Sequence, residues 1–239
     1  MTTQRGFTLI EMAIVMVIIT FLITGLAMPL SAQIQARRIA ETKKTLEEAH
    51  AAIIGYAMSH SSTSIPDKPY LPCPDINGDG LEDRTGDVCA QAEGWLPWAD
   101  LGTASQDAWG NRLHYSVETT EYADRSKGLP DLPLYTPPYA TMNLKRMCRN
   151  SACTQVDALY LPAVVFSHGP NGWGALNISG SSLNNPSSAD EKENTDTDTD
   201  FVSRTPSKAG DASGEFDDLV TWISDSLLRS RVCPAGGCP

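Results

Sequence analysis

Residues 6–34 read GFTLIEMAIVMVIITFLITGLAMPLSAQI, and this stretch decides the architecture of the chain. No charged side chain occurs from Met12 to Ile34. A helix of that length reaches about 35 Å, which exceeds the apolar core of a bilayer at about 30 Å. No second stretch of this kind follows, so the sequence predicts at most one membrane crossing.

Two simpler interpretations of this stretch are an ordinary membrane anchor and a secretory signal peptide. A signal peptide has small residues at a cleavage site after its apolar core. Here the small residues at the far end, Ala27, Ser31 and Ala32, lie within a continuing helical pattern. The polar leader, Met1 to Gly6, instead ends abruptly before the apolar run.

Glu11 is the unusual residue of the run, because a carboxylate near the start of a spanning helix costs about 3 kcal/mol unless it is paired. Arg5 is the only other charge nearby, and it lies in the leader. If the chain were cut after Gly6, a new amine would appear at Phe7, and Glu11 would follow it by one helical turn. The terminal amine of a neighbouring chain is an alternative partner.

The hexapeptide from Gly6 to Glu11 resembles the processing site of type IV prepilins and type II secretion pseudopilins. The resemblance implies that a prepilin peptidase cleaves between Gly6 and Phe7, that the Phe7 amine is methylated, and that Glu11 pairs with a neighbouring subunit's N-terminus. It also implies two partners, namely other pilin or pseudopilin subunits and the assembly platform of the bacterial inner membrane. The N-terminus would lie in the cytoplasm and the head in the periplasm, before incorporation into a pilus or pseudopilus filament.

Apolar residues continue at helical spacing beyond the uncharged run, which predicts an amphipathic helix that ends near Ser59. These residues are Ile39, Leu46, Ala49, Ile53 and Tyr56. The chain thus divides into a leader peptide, a transmembrane and assembly helix, its amphipathic continuation and an extracytoplasmic globular head. The four segments are residues 1–6, 7–35, 36–60 and 61–239.

The composition is acidic, with 18 Lys and Arg against 29 Asp and Glu and a formal net charge of −11 over 239 residues. Phosphate contacts need basic side chains, so this balance argues against binding of nucleic acid. A local basic cluster, Lys145, Arg146 and Arg149, is the exception. The sequence contains no P-loop, dinucleotide-binding glycine motif or H-E-x-x-H zinc motif, and we predict that the chain is not an enzyme.

Six cysteines occur as three pairs that are close in sequence: Cys73 and Cys89, Cys148 and Cys153, and Cys233 and Cys238. This spacing favours disulfides between neighbours. An exported head lies in an oxidising compartment, where disulfides persist. The alternative is a zinc site built from the two C-x4-C pairs.

Residues 75–83 read DINGDGLED and match the first part of a calcium-binding loop. The predicted ligands are the side chains of Asp75, Asn77, Asp79 and Asp83 and the carbonyl oxygen of Leu81. The bidentate glutamate that usually closes such a loop is absent. The alternative is a run of turns closed by Asp and Asn side chains, which needs no metal.

Residues 107–117 predict a turn followed by a strand in which Leu113, Tyr115 and Val117 share a buried face. The turn, DAWGN at residues 107–111, is similar to the Asp-x-Trp-Gly-Asn motif of the major pseudopilin family. The similarity implies structural roles: the tryptophan for the core, the glycine for the turn, and the Asp and Asn side chains for hydrogen bonds to the backbone.

Two further elements complete the predicted head: a strand at Tyr160–Ser167, and a strand followed by a helix within Phe216–Leu228. Between them, residues 181–200 carry six acidic side chains, and their composition indicates a solvated loop. In pseudopilins a loop between late strands holds calcium, and this stretch resembles such a loop in its acidic residues Asp196, Asp198 and Asp200.

The sequence therefore predicts an α+β, pilin-like fold: a long N-terminal helix, half of it transmembrane, packed on an antiparallel sheet in a loop-rich, disulfide-containing head. The predicted function is that of a structural subunit, minor rather than main, of a type IV pilus or a type II secretion pseudopilus. The alternative is a calcium-dependent adhesion or binding module displayed on a pilin stem. It needs an exposed aromatic patch near residues 75–87, for which Trp95 and Trp98 are the candidates; packing of both against the helix is the competing interpretation.

Overall fold

The computed structural model describes residues 6–130 and 142–233, without the side chains of residues 23–29. The contacts within the chain divide it into two units, Met1–Ala40 and Glu41–Pro239. The helices are α1 (Leu9–Ser59), α2 (Trp98–Leu101), α3 (Ala189–Glu193) and α4 (Asp225–Val232). The strands are β1 (Arg84–Thr85), β2 (Val88–Cys89), β3 (Glu93–Trp95), β4 (His114–Val117), β5 (Lys145–Cys148), β6 (Val156–Leu161), β7 (Ala163–Ser167), β8 (Asp200–Val202) and β9 (Leu219–Ile223).

The first unit contains the beginning of α1, which carries the apolar run. Its large apolar side chains are exposed, from 45% for Ile19 to 90% for Leu9. Within the described part of the chain, no helix combines the length and the apolar character that a membrane span requires. The transmembrane half of the helix therefore stays a prediction, and residues 23–29 of it lie outside the described side chains.

The later part of α1 presents the predicted apolar stripe to the core of the head. Leu46, Ala49 and Ile53 are buried in one cluster with Leu113 and Tyr115 of the sheet region. Burial of a leucine or an isoleucine contributes about 2 kcal/mol. The helix ends where the stripe ends, as predicted from the spacing of these residues.

A four-stranded antiparallel sheet in the order β3-β4-β7-β9 forms the centre of the head. The predicted strand after the DAWGN turn corresponds to β4, and the predicted final strand and helix correspond to β9 and α4. Helix α4 begins with an N-cap, in which Ser224 Oγ accepts a hydrogen bond of 3.4 Å from the Leu227 amide.

Both faces of β7 are buried, which explains why its sequence, AVVFS, contains four apolar residues in a row. Ala163 and Val165 belong to the core that includes the later part of α1. Val164 and Phe166 belong to a second core, which they share with Phe201 of β8. A strand covered on both sides needs no polar alternation.

The second sheet has the order β6-β5-β8, in which β5 pairs antiparallel with β6 and parallel with β8. The prediction of one strand at Tyr160–Ser167 is wrong, because β6 ends at Leu161 in this sheet and β7 begins at Ala163 in the other. Pro162 separates them, since proline lacks the N–H that a strand ladder uses. The head thus contains a mixed sheet besides the predicted antiparallel one.

Two of the predicted disulfides are present in the structure, Cys73–Cys89 and Cys148–Cys153. Cys233 is also disulfide-bonded, and its predicted partner, Cys238, lies outside the described residues. No cysteine of the described part is a free thiol. The described cysteines therefore offer no thiolate ligands for the alternative zinc site.

Candidate functional site

The processing motif forms the start of α1, where Thr8 and Glu11 cap the helix reciprocally. The Thr8 amide and hydroxyl each donate a hydrogen bond of 2.8 Å to Glu11 Oε2, and the Glu11 amide donates one of 3.3 Å to Thr8 Oγ1. This is a capping box, which satisfies backbone donors that the first helical turn leaves free. Gly6 and Phe7 are both exposed, so the predicted cleavage bond is accessible.

The predicted calcium loop is arranged as a series of Asx turns. Asp75 is fully buried; its Oδ1 accepts hydrogen bonds from the amides of Asn77 and Gly78, and its Oδ2 accepts one of 2.7 Å from Gly80. Asn77 Oδ1 and Asp79 Oδ1 each accept an amide hydrogen bond of 2.9 Å from the second residue that follows. Backbone amides therefore occupy oxygens that the prediction assigned to calcium.

Asp83, another predicted ligand, is also engaged within this loop. Its Oδ2 accepts a hydrogen bond of 2.8 Å from the Ile76 amide, and its Oδ1 accepts one of 3.3 Å from the side-chain amide of Asn77. Three groups of potential metal-ligating side chains in the described chain bring ligand atoms within 4.8 Å of one another, and none of them lies in this loop. The geometry here favours the alternative of turns without a metal, next to the Cys73–Cys89 disulfide.

A different group of three carboxylates forms a buried acidic cluster: Glu191, Asp217 and Asp218, each with an oxygen within 4.8 Å of the other two. Glu191 lies on α3, and the two aspartates immediately precede β9. Asn171, in the turn after β7, donates from its side chain to Glu191 Oε1 at 3.3 Å and from its backbone amide to Asp217 Oδ2 at 3.1 Å. Three segments that are distant in sequence thus meet at this cluster.

Two oxygens of the acidic cluster, Glu191 Oε2 and Asp217 Oδ1, are buried and have no hydrogen-bond partner within the described residues. Glu191 is only 2% exposed. Two further oxygens of the cluster accept hydrogen bonds from neutral donors. The Asp217 amide donates to Glu191 Oε1 at 3.0 Å, and the Asn194 side chain donates to Asp218 Oδ2 at 2.8 Å. Buried oxygens without donors are costly, and carboxylate oxygens are the ligands that calcium prefers. The residues of the cluster therefore fit a divalent cation.

Burial and mutual repulsion weaken the acidity of the cluster. Burial, followed by the nearby Glu191 carboxylate, raises the pKa of Asp217 to about 7. Burial also raises the pKa of Asp218 and of Glu191 above their ordinary values. A bound divalent cation offsets such repulsion and favours the ionised carboxylates.

Gly169 allows the turn after β7 to approach the cluster closely. Its φ is 61°, and a Cβ at this position would lie 2.2 Å from the carbonyl oxygen of Asp217 and 2.5 Å from Asp217 Oδ1. Glycine alone combines this backbone conformation with the absence of a side chain. The turn from His168 to Gly172 is thus shaped to place Asn171 beside the carboxylates.

A second acidic group comprises Glu193, Asp198 and Asp200, and it includes two of the three aspartates to which the pseudopilin resemblance pointed. Asp200 is already compensated, because Arg146 Nε donates to its Oδ1 at 2.6 Å. The third group combines Asp200 with Cys148 and Cys153, whose sulfurs are bonded to each other. The buried acidic cluster at Glu191 is therefore the candidate metal site.

The sequence patterns did not single out Glu191, Asp217 or Asp218. The sequence feature that could have pointed to this metal site is the Asp217–Asp218 pair directly before an apolar strand, together with the Asn-Gly turn after β7. The pairing of β7 with β9 brings these two segments to the same end of the sheet. Spacing alone does not reveal that α3 adds a glutamate to them.

The basic cluster is not a free positive patch. Lys145 is 1% exposed, and Arg146 is paired with Asp200. Arg149 Nε donates to Asp157 Oδ1 at 2.6 Å. These contacts leave little of the cluster's charge for phosphate groups.

Residues 1–27 match the family model described as the prokaryotic N-terminal methylation motif. The chain carries this methylation motif. The match includes Gly6, Phe7 and Glu11, and it is consistent with a type IV pilin-like or pseudopilin protein. The methylation motif implies processing by a prepilin peptidase and assembly with other pilin subunits. Searches of curated proteins and of solved structures found no significant match for this chain.

Proposed function

We propose that the chain is a non-catalytic, minor structural subunit of a type IV pilus or of a type II secretion pseudopilus. The observation that gives this proposal most support is the methylation motif at the N-terminal start of an apolar helix whose side chains are exposed. An exposed apolar surface of this extent needs cover, by lipid before assembly and by neighbouring helices afterwards. The minor role is inferred from the size of the loop-rich head.

In the proposed assembly, prepilin peptidase hydrolyses the Gly6–Phe7 bond on the cytoplasmic side, and the Phe7 amine is methylated. The cut leaves Thr8 and Glu11 together, so the capping box keeps the carboxylate at the start of the helix. The Glu11 carboxylate then pairs with the terminal amine of a neighbouring subunit at the inner-membrane platform. This ion pair offsets the free energy of holding a charge in an apolar surrounding.

Glu11→Ala tests the assembly step, with Thr8→Ala as its control because that variant loses the cap but retains the carboxylate. We expect Glu11→Ala to be processed normally and to be depleted from sheared filaments by about tenfold, the effect of ~1.4 kcal/mol. Thr8→Ala should enter filaments. Normal incorporation of Glu11→Ala, or mass spectrometry that finds residues 1–6 on the exported chain, would contradict the proposal.

We also propose that the head holds calcium at Glu191, Asp217 and Asp218, and that the ion has a structural role. The two buried oxygens without donors support a cation at this place. Such an ion would join α3 to the segment before β9 and, through Asn171, to the turn after β7. The adhesion alternative receives less support, because Trp95 and Trp98 are half-buried rather than part of an exposed patch.

A further inference from the structure

A buried lysine connects the two sheets of the head. Lys145 lies on β5 of the mixed sheet and is 1% exposed, and its Nζ lies 4.0 Å from Oε1 of Glu93 on β3 of the antiparallel sheet. Both side chains are largely enclosed, with 2% of the lysine and 13% of the glutamate side chain exposed. An amine and a carboxyl group are thus held together away from bulk water.

A histidine adjoins the same carboxyl group. His114 Nε2 lies 4.0 Å from Glu93 Oε2, and its ring is stacked on Phe166 at 4.7 Å. Both ring nitrogens are buried without a hydrogen-bond partner in the described part of the chain. Ser116 Oγ donates to Glu93 Oε1 at 3.1 Å and fixes the carboxyl group between the lysine and the histidine.

Burial favours the uncharged forms of both partners. It raises the pKa of Glu93 to about 7, although the Lys145 charge opposes this shift. It lowers the pKa of Lys145, against the opposing effects of Glu93, Glu118 and Asp198. A neutral amine has the lone pair that an ammonium group lacks, and a neutral carboxylic acid is the better electrophile.

We propose that Lys145 and Glu93 condense to form an isopeptide bond that joins β5 covalently to β3. The Nζ lone pair attacks Glu93 Cδ, the bond from Cδ to one carboxyl oxygen breaks, and one water molecule leaves. His114 Nε2 accepts a proton from the attacking nitrogen and returns it to the leaving hydroxyl group. The reaction needs no oxidant or cofactor, and it requires Nζ to approach Cδ to about 3–3.5 Å.

The experiment is mass spectrometry of the full-length chain, extracted in detergent and with its disulfides reduced and alkylated. We expect the chain to be lighter by one water molecule than the mass calculated for its observed N-terminus, with any methyl group on Phe7 included, and a protease digest to contain a branched peptide that links Lys145 to Glu93. Lys145→Arg should have the full calculated mass. Glu93→Gln should lose ammonia instead of water and arrive at the same product mass as the wild-type chain.

His114→Phe tests the proton transfer, and it should slow the accumulation of the cross-linked species after synthesis. A wild-type chain with its full calculated mass, in which Lys145 and Glu93 appear only in separate linear peptides, overturns the proposal. Because this measurement uses the wild-type chain, it tests the isopeptide bond even if a variant fails to fold. It is also independent of the pilin assignment, which concerns the N-terminal peptide alone.

Discussion

Ser167 Oγ donates a hydrogen bond of 2.6 Å to Asp107 Oδ2, and this contact ties the DAWGN turn to the end of β7. The other oxygen of Asp107 accepts hydrogen bonds from the amides of Trp109 and Asn111, at 2.9 and 3.0 Å. One carboxylate, 3% exposed, thus shapes the turn and anchors it to the central strand. The roles that the sequence implied for Asp107 and for Gly110, whose φ is 87°, agree with this arrangement, whereas Trp109 is only half-buried.

Asp107→Ala should therefore lower the free energy of unfolding of the chain by about 3 kcal/mol. It removes the acceptor for three donors, two of them backbone amides in a buried turn. Ser167→Ala removes only one of these hydrogen bonds and should cost about 1 kcal/mol. Urea unfolding followed by tryptophan fluorescence measures both. Equal losses in the two variants would show that the amide bonds to Asp107 contribute nothing.

Gly169→Ala and Gly180→Ala form a matched pair, because both glycines have a positive φ, of 61° and 82°. A Cβ at Gly180 meets no atom within 4 Å, so its substitution should cost only the conformational penalty of about 1 kcal/mol. A Cβ at Gly169 collides with the Asp217 backbone, so we expect a loss of about 3 kcal/mol or more. Thermal unfolding compares the two, and a similar loss in both would contradict the close approach of this turn to the cluster.

Removal of calcium should destabilise the head through the buried acidic cluster. Saturation at 100 times the dissociation constant adds about 2.7 kcal/mol to the free energy of unfolding, and a chelator should reverse the gain. Glu191→Gln should abolish the effect of calcium on the melting temperature, whereas Asp79→Asn, in the Asx-turn loop, should retain it. Calorimetric titration with calcium provides the direct measurement. Loss of calcium binding in Asp79→Asn but not in Glu191→Gln would show that the calcium site lies at residues 75–83.

The stability of the head should depend on pH through His168, which is fully buried beside His114. Burial, followed by the His114 charge, lowers the pKa of His168 from 6.5 to about 3. The unfolded chain takes up this proton first, so stability is lost as the pH falls from 6.5 towards 3. The expected slope is about 1.4 kcal/mol per pH unit for one proton.

The measurement for this prediction is the difference in unfolding free energy between the wild-type chain and His168→Gln across that pH range. The subtraction removes contributions that both chains share. A difference that does not change with pH would show that His168 is protonated equally in the folded and unfolded chains.

Much of the architecture could be predicted from local patterns. The spacing of Leu46, Ala49 and Ile53 predicted the buried stripe and the end of α1, and the alternation of Leu113, Tyr115 and Val117 predicted β4. Close spacing in sequence favoured the Cys73–Cys89 and Cys148–Cys153 disulfides. These features depend on residues at most 16 positions apart, so the local sequence contains the information needed to infer them.

The predicted calcium loop shows a limit of inference from sequence spacing alone. The ligand spacing of residues 75–83 is compatible with calcium, but it is equally the spacing at which Asp and Asn side chains cap their own backbone. The choice between the two depends on the direction of the carboxylate oxygens, and in the fold those of Asp75 point to amides of its own loop.

By itself the amino-acid order determined the processing motif, the long helix and the acidic, disulfide-linked character of the head, because each follows from neighbours along the chain. Only the tertiary structure decided that β7 is covered on both faces, that Glu191 meets Asp217 and Asp218, and that Lys145 faces Glu93. These contacts join segments whose proximity arises from strand pairing and from the packing of two sheets. The free energy of that packing belongs to the whole head, and no local pattern encodes it.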